Sequence, residues 1–325
     1  MDLRPAVQQL AVEHALDARA RARLERIAGL GAEPAALQRS LAVGVAVLAA
    51  ALLGLGLIFW IAANWEALGR FGRFALLQGT VLVMGVAAIW RQPQRVALAL
   101  LLLLATGGLF AYFGQTYQTG ADPWQLFALW ALLTLALCLG LRSDVLWVPW
   151  ALVAMGAVSL WVHAHSGHRW SLQPDGLAVH MVGWAAALAL VLALSTPARP
   201  LTGAGVWALR TAAALAVIMI TVTAAGALFA REVAAHYTLG LVALAIAAAA
   251  FSTRRGFDVF ALSAASLGIN TLLVCGLARW LFHGHLGGDW IGRMLAIGLV
   301  AAGLLAATVS AVLRLSRHRG AAEGV

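Results

Sequence analysis

An all-α fold, a polytopic bundle of about ten transmembrane helices behind a short cytoplasmic helical segment, is predicted by three observations. First, 62% of the 325 residues are hydrophobic and only 11% are charged, against about a quarter charged in an ordinary soluble domain. Second, the intervals between charges are long. Leu41 to Ala63 carries no charge and exceeds the roughly 20 residues that cross about 30 Å of hydrocarbon at 1.5 Å per residue. Third, all 22 basic residues are arginine, placed at the ends of the apolar runs, where a membrane surface accounts for them better than a nucleic acid does. In lipid every backbone polar group must be satisfied internally, so apolar runs of this length are expected to be helices.

The elements follow in order. Residues 1–40 form the leader. Asp17 is placed to cap a helix through ARARARLERIAGL, with Leu24 and Ile27 on one stripe and Arg19, Arg23 and Arg26 on the other. Gly29 and Gly31 close that helix, and Pro34 opens a second short one. The bundle, 41–313, divides into spans at 41–63, 74–90, 96–113, 124–141, 145–162, 177–195, 207–230, 234–251, 257–280 and 290–313. A basic tail, 314–325, ends the chain. The first apolar run follows a long Arg-rich leader, so it reads as an uncleaved spanning helix and not as a signal peptide.

With the amino terminus inside, sixteen arginines fall on cytoplasmic segments. Six, Arg70, Arg73, Arg169, Arg231, Arg279 and Arg293, fall outside. This positive-inside bias predicts a multi-pass protein of the bacterial inner membrane with both termini cytoplasmic. Trp60, Trp65, Trp90, Trp124, Trp147, Trp161, Trp280 and Trp290 lie near span ends and read as interfacial anchors. Cys138 and Cys275 lie inside apolar runs and read as packing residues. Two sets of five spans would allow an inverted repeat, but the halves share no motif.

Two stretches are more polar than a connecting loop requires. In the first, Asn64, Trp65 and Glu66 lead into ALGRFGRF, and Asn64 is placed to cap a short interfacial helix ending near Arg70 and Arg73. The second, Tyr112 to Trp124, contains two glycines and a proline and reads as a structured turn. Gln115, Tyr117 and Asp122 give it donors and acceptors. IAANWEALGRFGRFALLQ and GQTYQTGADPWQLFALWALL resemble the recurring motifs of DUF2157, a family of uncharacterised bacterial membrane proteins. The leader is similar to that family's amino-terminal segment, and RRGFDVFAL resembles a later stretch. The resemblance implies location and architecture without an activity. It marks Asn64, Trp65, Gln115, Tyr117, Asp122 and Trp124 as candidate positions, and Glu66, Arg70 and Arg73 complete the candidate outer-face polar site. Charge suggests that the two stretches pack together, with Asp122 near Arg70 and Arg73.

Seven of the nine histidines fall on the expected outer side. HAHSGH and HGH could offer His163, His165, His168, His283 and His285 to zinc or copper, although neither spacing matches a standard site. The expectation is no metal and no cofactor. Inside the spans ionisable residues are nearly absent, and Asn270, Thr221, Thr223 and Gln78 are the main buried polar side chains, suited to bonding between helices. Nothing resembles a P-loop, a zinc-protease helix or a nucleophile elbow. The leading reading is a non-catalytic envelope component whose partners are the lipid bilayer and another membrane protein. A small-solute transporter comes second, and a membrane enzyme acting on a lipid or envelope substrate at the outer face comes third.

Overall fold

The structure, a computed structural model, describes residues 4–28, 35–64, 69–117, 120, 122–167, 176–230, 235–283 and 290–323, and these contain helices and no strand. The leader holds α1 (Arg4–Glu13) and α2 (Ala18–Ile27). Asp17 caps α2 as expected, its Oδ1 accepting from the Ala20 amide at 2.7 Å. The apolar helices are α3 (Ala35–Ala63), α4 (Gly69–Trp90), α5 (Arg95–Tyr117), α6 (Pro123–Leu141), α7 (Asp144–His165) and α8 (Leu177–Ala193). After a short turn of chain, α9 (Arg199–Thr202), come α10 (Val206–Leu228), α11 (His236–Ser252), α12 (Val259–Phe282) and α13 (Trp290–Glu323).

Each of the ten expected segments is therefore helical, but ten full spans do not follow from these helices. Among the described residues seven are long and apolar enough to cross a bilayer, and α8 makes eight if it counts as one span with the chain after its 59° bend. Pro197 and Pro200 lie in that bend, where a missing amide and a fixed φ interrupt the helical ladder. Helix α11, at 17 residues, is a shorter apolar helix.

Several helices continue past the expected spans, because nothing beyond the hydrocarbon compels them to stop, whereas α8 and α10 end and α11 begins two residues inside them. The helix expected after Pro34 is not separate from the first span, since α3 runs unbroken from Ala35. The segment from Arg70 to Arg73 is the first turn of α4 and not a distinct interfacial helix. Tyr112 to Tyr117 belongs to α5, so the first half of the expected turn is helix. The basic tail continues α13 to Glu323.

Packing centres on α10. Its buried stripe of Ala208, Ala212, Ala216, Ile220 and Ala224 repeats every fourth residue, and small side chains let α7, α8, α11 and α12 close on one helix. Indole hydrogen bonds tie the amino-terminal half to this centre. Trp130 Nε1 donates to the Leu103 carbonyl (2.9 Å) and Trp150 Nε1 to the Ala131 carbonyl (2.7 Å), joining α5, α6 and α7. Trp147, expected at the interface, is instead in the core, edge-on to Trp150 at 5.1 Å. Trp60, Trp90, Trp280 and Trp290 are exposed, as anchors should be. Cys138 is buried, whereas Gln78 is exposed and does not join helices. Asn270 does: its Nδ2 donates to Thr308 Oγ1 at 2.9 Å, linking α12 to α13.

Contacts at the helix ends show that the helices alternate in direction. At one end, rich in arginine, Asp144 Oδ1 accepts from the Gly205 amide (2.6 Å) and Oδ2 from the Trp207 amide (3.0 Å). Arg210 Nε meets Asp258 Oδ2 at 3.2 Å, and Arg319 donates to the Ser252 carbonyl. At the other end the His165 ring lies 6.0 Å from Trp124, and the His180 ring lies 4.9 Å from His236.

Candidate functional site

Of the expected outer-face residues, Trp65 and Glu66 lie outside the described residues. Asn64 follows α3 directly: its Nδ2 donates to the Trp60 carbonyl at 2.9 Å, and its own amide donates to the same oxygen; the residues it would cap, 65–68, lie outside the described residues. Helix α4 is described from Gly69, whose φ of +57° is a left-handed conformation open to glycine at little cost.

The start of α4 and the end of α5 form one packed unit. The Tyr112 hydroxyl donates to the Arg70 carbonyl at 3.3 Å. The Phe74 ring meets Tyr112 edge-on at 4.6 Å and lies 5.7 Å from Tyr117. Tyr112 is buried with Leu77 in a small apolar cluster. Aromatic contacts of this kind contribute about 0.5 to 1.5 kcal/mol each beyond their area, enough to fix two helix ends against each other. Phe74 and Tyr112, which carry most of this contact, were not among the expected site residues. Their spacing is that of ordinary core residues, so nothing local marks them.

The unit turns its other side chains outward. Arg70 and Gln115 are exposed, Phe71 is 78% exposed and Tyr117 49% exposed. The Arg70 guanidinium sits 5.2 Å from the Phe71 ring centroid. Arg73 lies half-buried in the first turn of α4, and Asp122 occupies the N-cap position of α6 with Pro123 next to it. Trp124 is half-buried in the first turn of α6, beside His165.

The histidines expected as metal ligands do not gather in one place among the described residues. His168 and His285 lie outside the described residues. His165 stacks on Trp161 at 4.4 Å, with its Nδ1 2.8 Å from the Trp161 carbonyl oxygen, and His283 is an exposed residue just after α12. Among the described residues no three His, Cys, Asp or Glu side chains are grouped to hold a metal ion.

His163 instead faces a cavity of about 680 Å³ between α7, α8 and α10, shared with Ser159, Ser166, His180 and Thr223 over apolar walls that include Met155 and Met219. The size falls in the range of small-molecule pockets. His180 Nδ1 lies 2.8 Å from the Gly176 carbonyl oxygen. Behind it His236 is 0% exposed, and neither of its ring nitrogens has a partner among the described residues. Sequence reading placed both histidines on the outer side but had no signal for their pairing, because 56 residues separate them.

At the arginine-rich end the notable acids are Asp144 and Asp258. Asp144 satisfies the amide of Gly205, the residue before α10, and the amide of Trp207 in its first turn. Asp258 caps α12 through the Ala261 amide (2.9 Å) while pairing with Arg210. Both carboxylates are thus committed to helix N-termini, where the backbone dipoles favour negative charge.

Residues 8–147 match the family described as "Predicted membrane protein (DUF2157)". This bears out the resemblance for the leader and for both polar stretches; RRGFDVFAL lies beyond the match. The chain is a membrane protein with several transmembrane helices, similar over that region to a family without an assigned activity. No curated protein and no solved structure matches it.

Proposed function

We propose that the protein is a non-catalytic component of the bacterial inner membrane that engages another membrane protein through the unit formed by α4 and α5. The arginine-rich end and both termini face the cytoplasm, which puts this unit at the outer surface. One observation carries the reading: the unit is braced internally by Tyr112 and Phe74, yet its Arg70, Phe71, Gln115 and Tyr117 side chains point outward. A rigid patch of aromatic and arginine side chains is the composition enriched at binding hot spots. Asn64, Arg73, Asp122 and Trp124 complete its rim. The acids of the opposite end support the same reading, since helix capping already occupies them.

Affinity purification of the full chain in mild detergent tests this. The wild type should retain a membrane protein near one-to-one, and the double variant Arg70→Gln, Phe71→Ala should lose it at least tenfold while keeping its own yield. Equal retention by both would overturn the reading. The cavity between α7, α8 and α10 favours a second reading, a small-solute transporter. Ser159→Phe, which fills that cavity, should leave partner retention unchanged under the first reading, and its loss would favour the second.

A further inference from the structure

Arg142 stands in a backbone conformation that its residue type rarely adopts. Its φ of +49° and ψ of +44° are left-handed, which costs any residue with a Cβ and marks a place where a function is worth seeking. The position is the C-cap of α6, where a glycine would avoid that cost. The side chain it projects is laid on the turn after α9. A Cβ added to Gly203 would stand 2.4 Å from Arg142 Cγ, 2.5 Å from its Cβ and 2.7 Å from its Cδ, so the arginine stem rests directly on the Gly203 backbone.

The same turn opens with a second arginine. The Gly203 amide donates to the Arg199 carbonyl at 2.7 Å, and the Arg199 Nε is buried without a hydrogen-bond partner. Neither guanidinium pairs with a carboxylate among the described residues. The acids of this end are already committed, Asp144 to the amides of Gly205 and Trp207 and Asp258 to Arg210. Two positioned cations are left with no acidic side chain to answer them.

We propose that Arg142 and Arg199 together hold the phosphate of an anionic phospholipid headgroup. A planar guanidinium presents paired N–H donors that match phosphate oxygens. The surroundings select a lipid as the source. From Thr196 to Thr202 the chain leaves the line of α8 by 59° and runs toward α6, which α9 touches. On this connection Leu201 is 79% exposed, and Trp207, in the first turn of α10, is 65% exposed. An exposed leucine and indole beside two arginines at the end of the spans place apolar side chains at acyl depth and cations at headgroup level.

The test uses purified full-length protein stripped of lipid by detergent exchange, with native mass spectrometry reading bound lipid. Phosphatidylglycerol should bind saturably at one per chain, about tenfold tighter than phosphatidylcholine, the scale of one charge-assisted hydrogen bond. Arg142→Gly removes the guanidinium and suits the backbone, so it should abolish that preference while leaving the thermal unfolding midpoint at or above wild type. Arg142→Lys, which keeps the charge but not the fork, should retain part of the preference, and Arg199→Gln should reduce it. Arg254→Gln removes an exposed charge from the turn after α11 and should change nothing. An equal loss in Arg254→Gln would reveal diffuse surface charge and overturn the site, as would an unchanged preference in Arg142→Gly. Competition by inorganic phosphate at the concentration of the lipid would assign the arginines to soluble phosphates and overturn the lipid source. Equal affinity of the wild type for both lipids refutes the proposal by itself, whatever a substitution does to folding.

Discussion

The two residues that organise the arginine-rich end, Asp144 and Asp258, act through partners far away in sequence. Asp144 reaches amides 61 and 63 residues away, and Asp258 reaches Arg210 across 48. Asp17, by contrast, caps its own helix three residues on, and only that kind of bond is legible in a single sequence. The difference sets the expected cost of removal. Asp258→Ala loses a helix cap and leaves Arg210 without its carboxylate, at about 3 kcal/mol in total. Thermal unfolding in detergent should show a clear drop in midpoint for Asp258→Ala and partial recovery for Asp258→Asn, which can still cap. Equal losses in the two variants would mean that the ion pair matters and the cap does not.

At the scale of helices, hydropathy located ten segments that are all helical, although only seven or eight of them, among the described residues, are long and apolar enough to cross a bilayer. It did not locate their ends. Beyond the hydrocarbon nothing compels a helix to stop, so α3, α5 and α13 run on until a glycine, a proline or the end of the pattern intervenes. The packing partners were equally hidden, since in lipid they depend on small residues whose neighbours are not adjacent in sequence. Gly240 shows this: an added methyl would stand 2.5 Å from the Ala224 methyl, where α10 and α11 touch. Gly79 on α4 meets nothing within 4 Å. Gly240→Val should therefore lower the yield of folded, detergent-stable protein severalfold, while Gly79→Val should leave it near wild type, as measured by fluorescence-detected size exclusion. Similar behaviour of the two would remove α10 as the packing centre.

The whole molecule divides into two unlike ends, and this division links the sequence to the functional proposals. One end joins Asp144 and Asp258 to helix N-termini, Arg210 to Asp258 and Arg319 to the Ser252 carbonyl. The other gathers the braced aromatic unit of α4 and α5 and the histidine pocket. The sorting of charge was visible at once, because positive residues sort by side in any multi-pass protein. The sites were less so. Both polar stretches stood out by composition and resemblance, whereas the cavity between α7, α8 and α10 is assembled from helices that only the fold brings together.

The docking patch requires the histidine end to face outward. The most direct test is a pair of reporter fusions at Gly120, in the turn between α5 and α6, and at Gly256, between α11 and α12. An alkaline phosphatase reporter should be active at Gly120 and inactive at Gly256, and a fluorescent protein that matures only in the cytoplasm should show the reverse. Both reporters on one side would contradict the alternation of helices, and the opposite assignment would place the aromatic unit in the cytoplasm and end the proposed role.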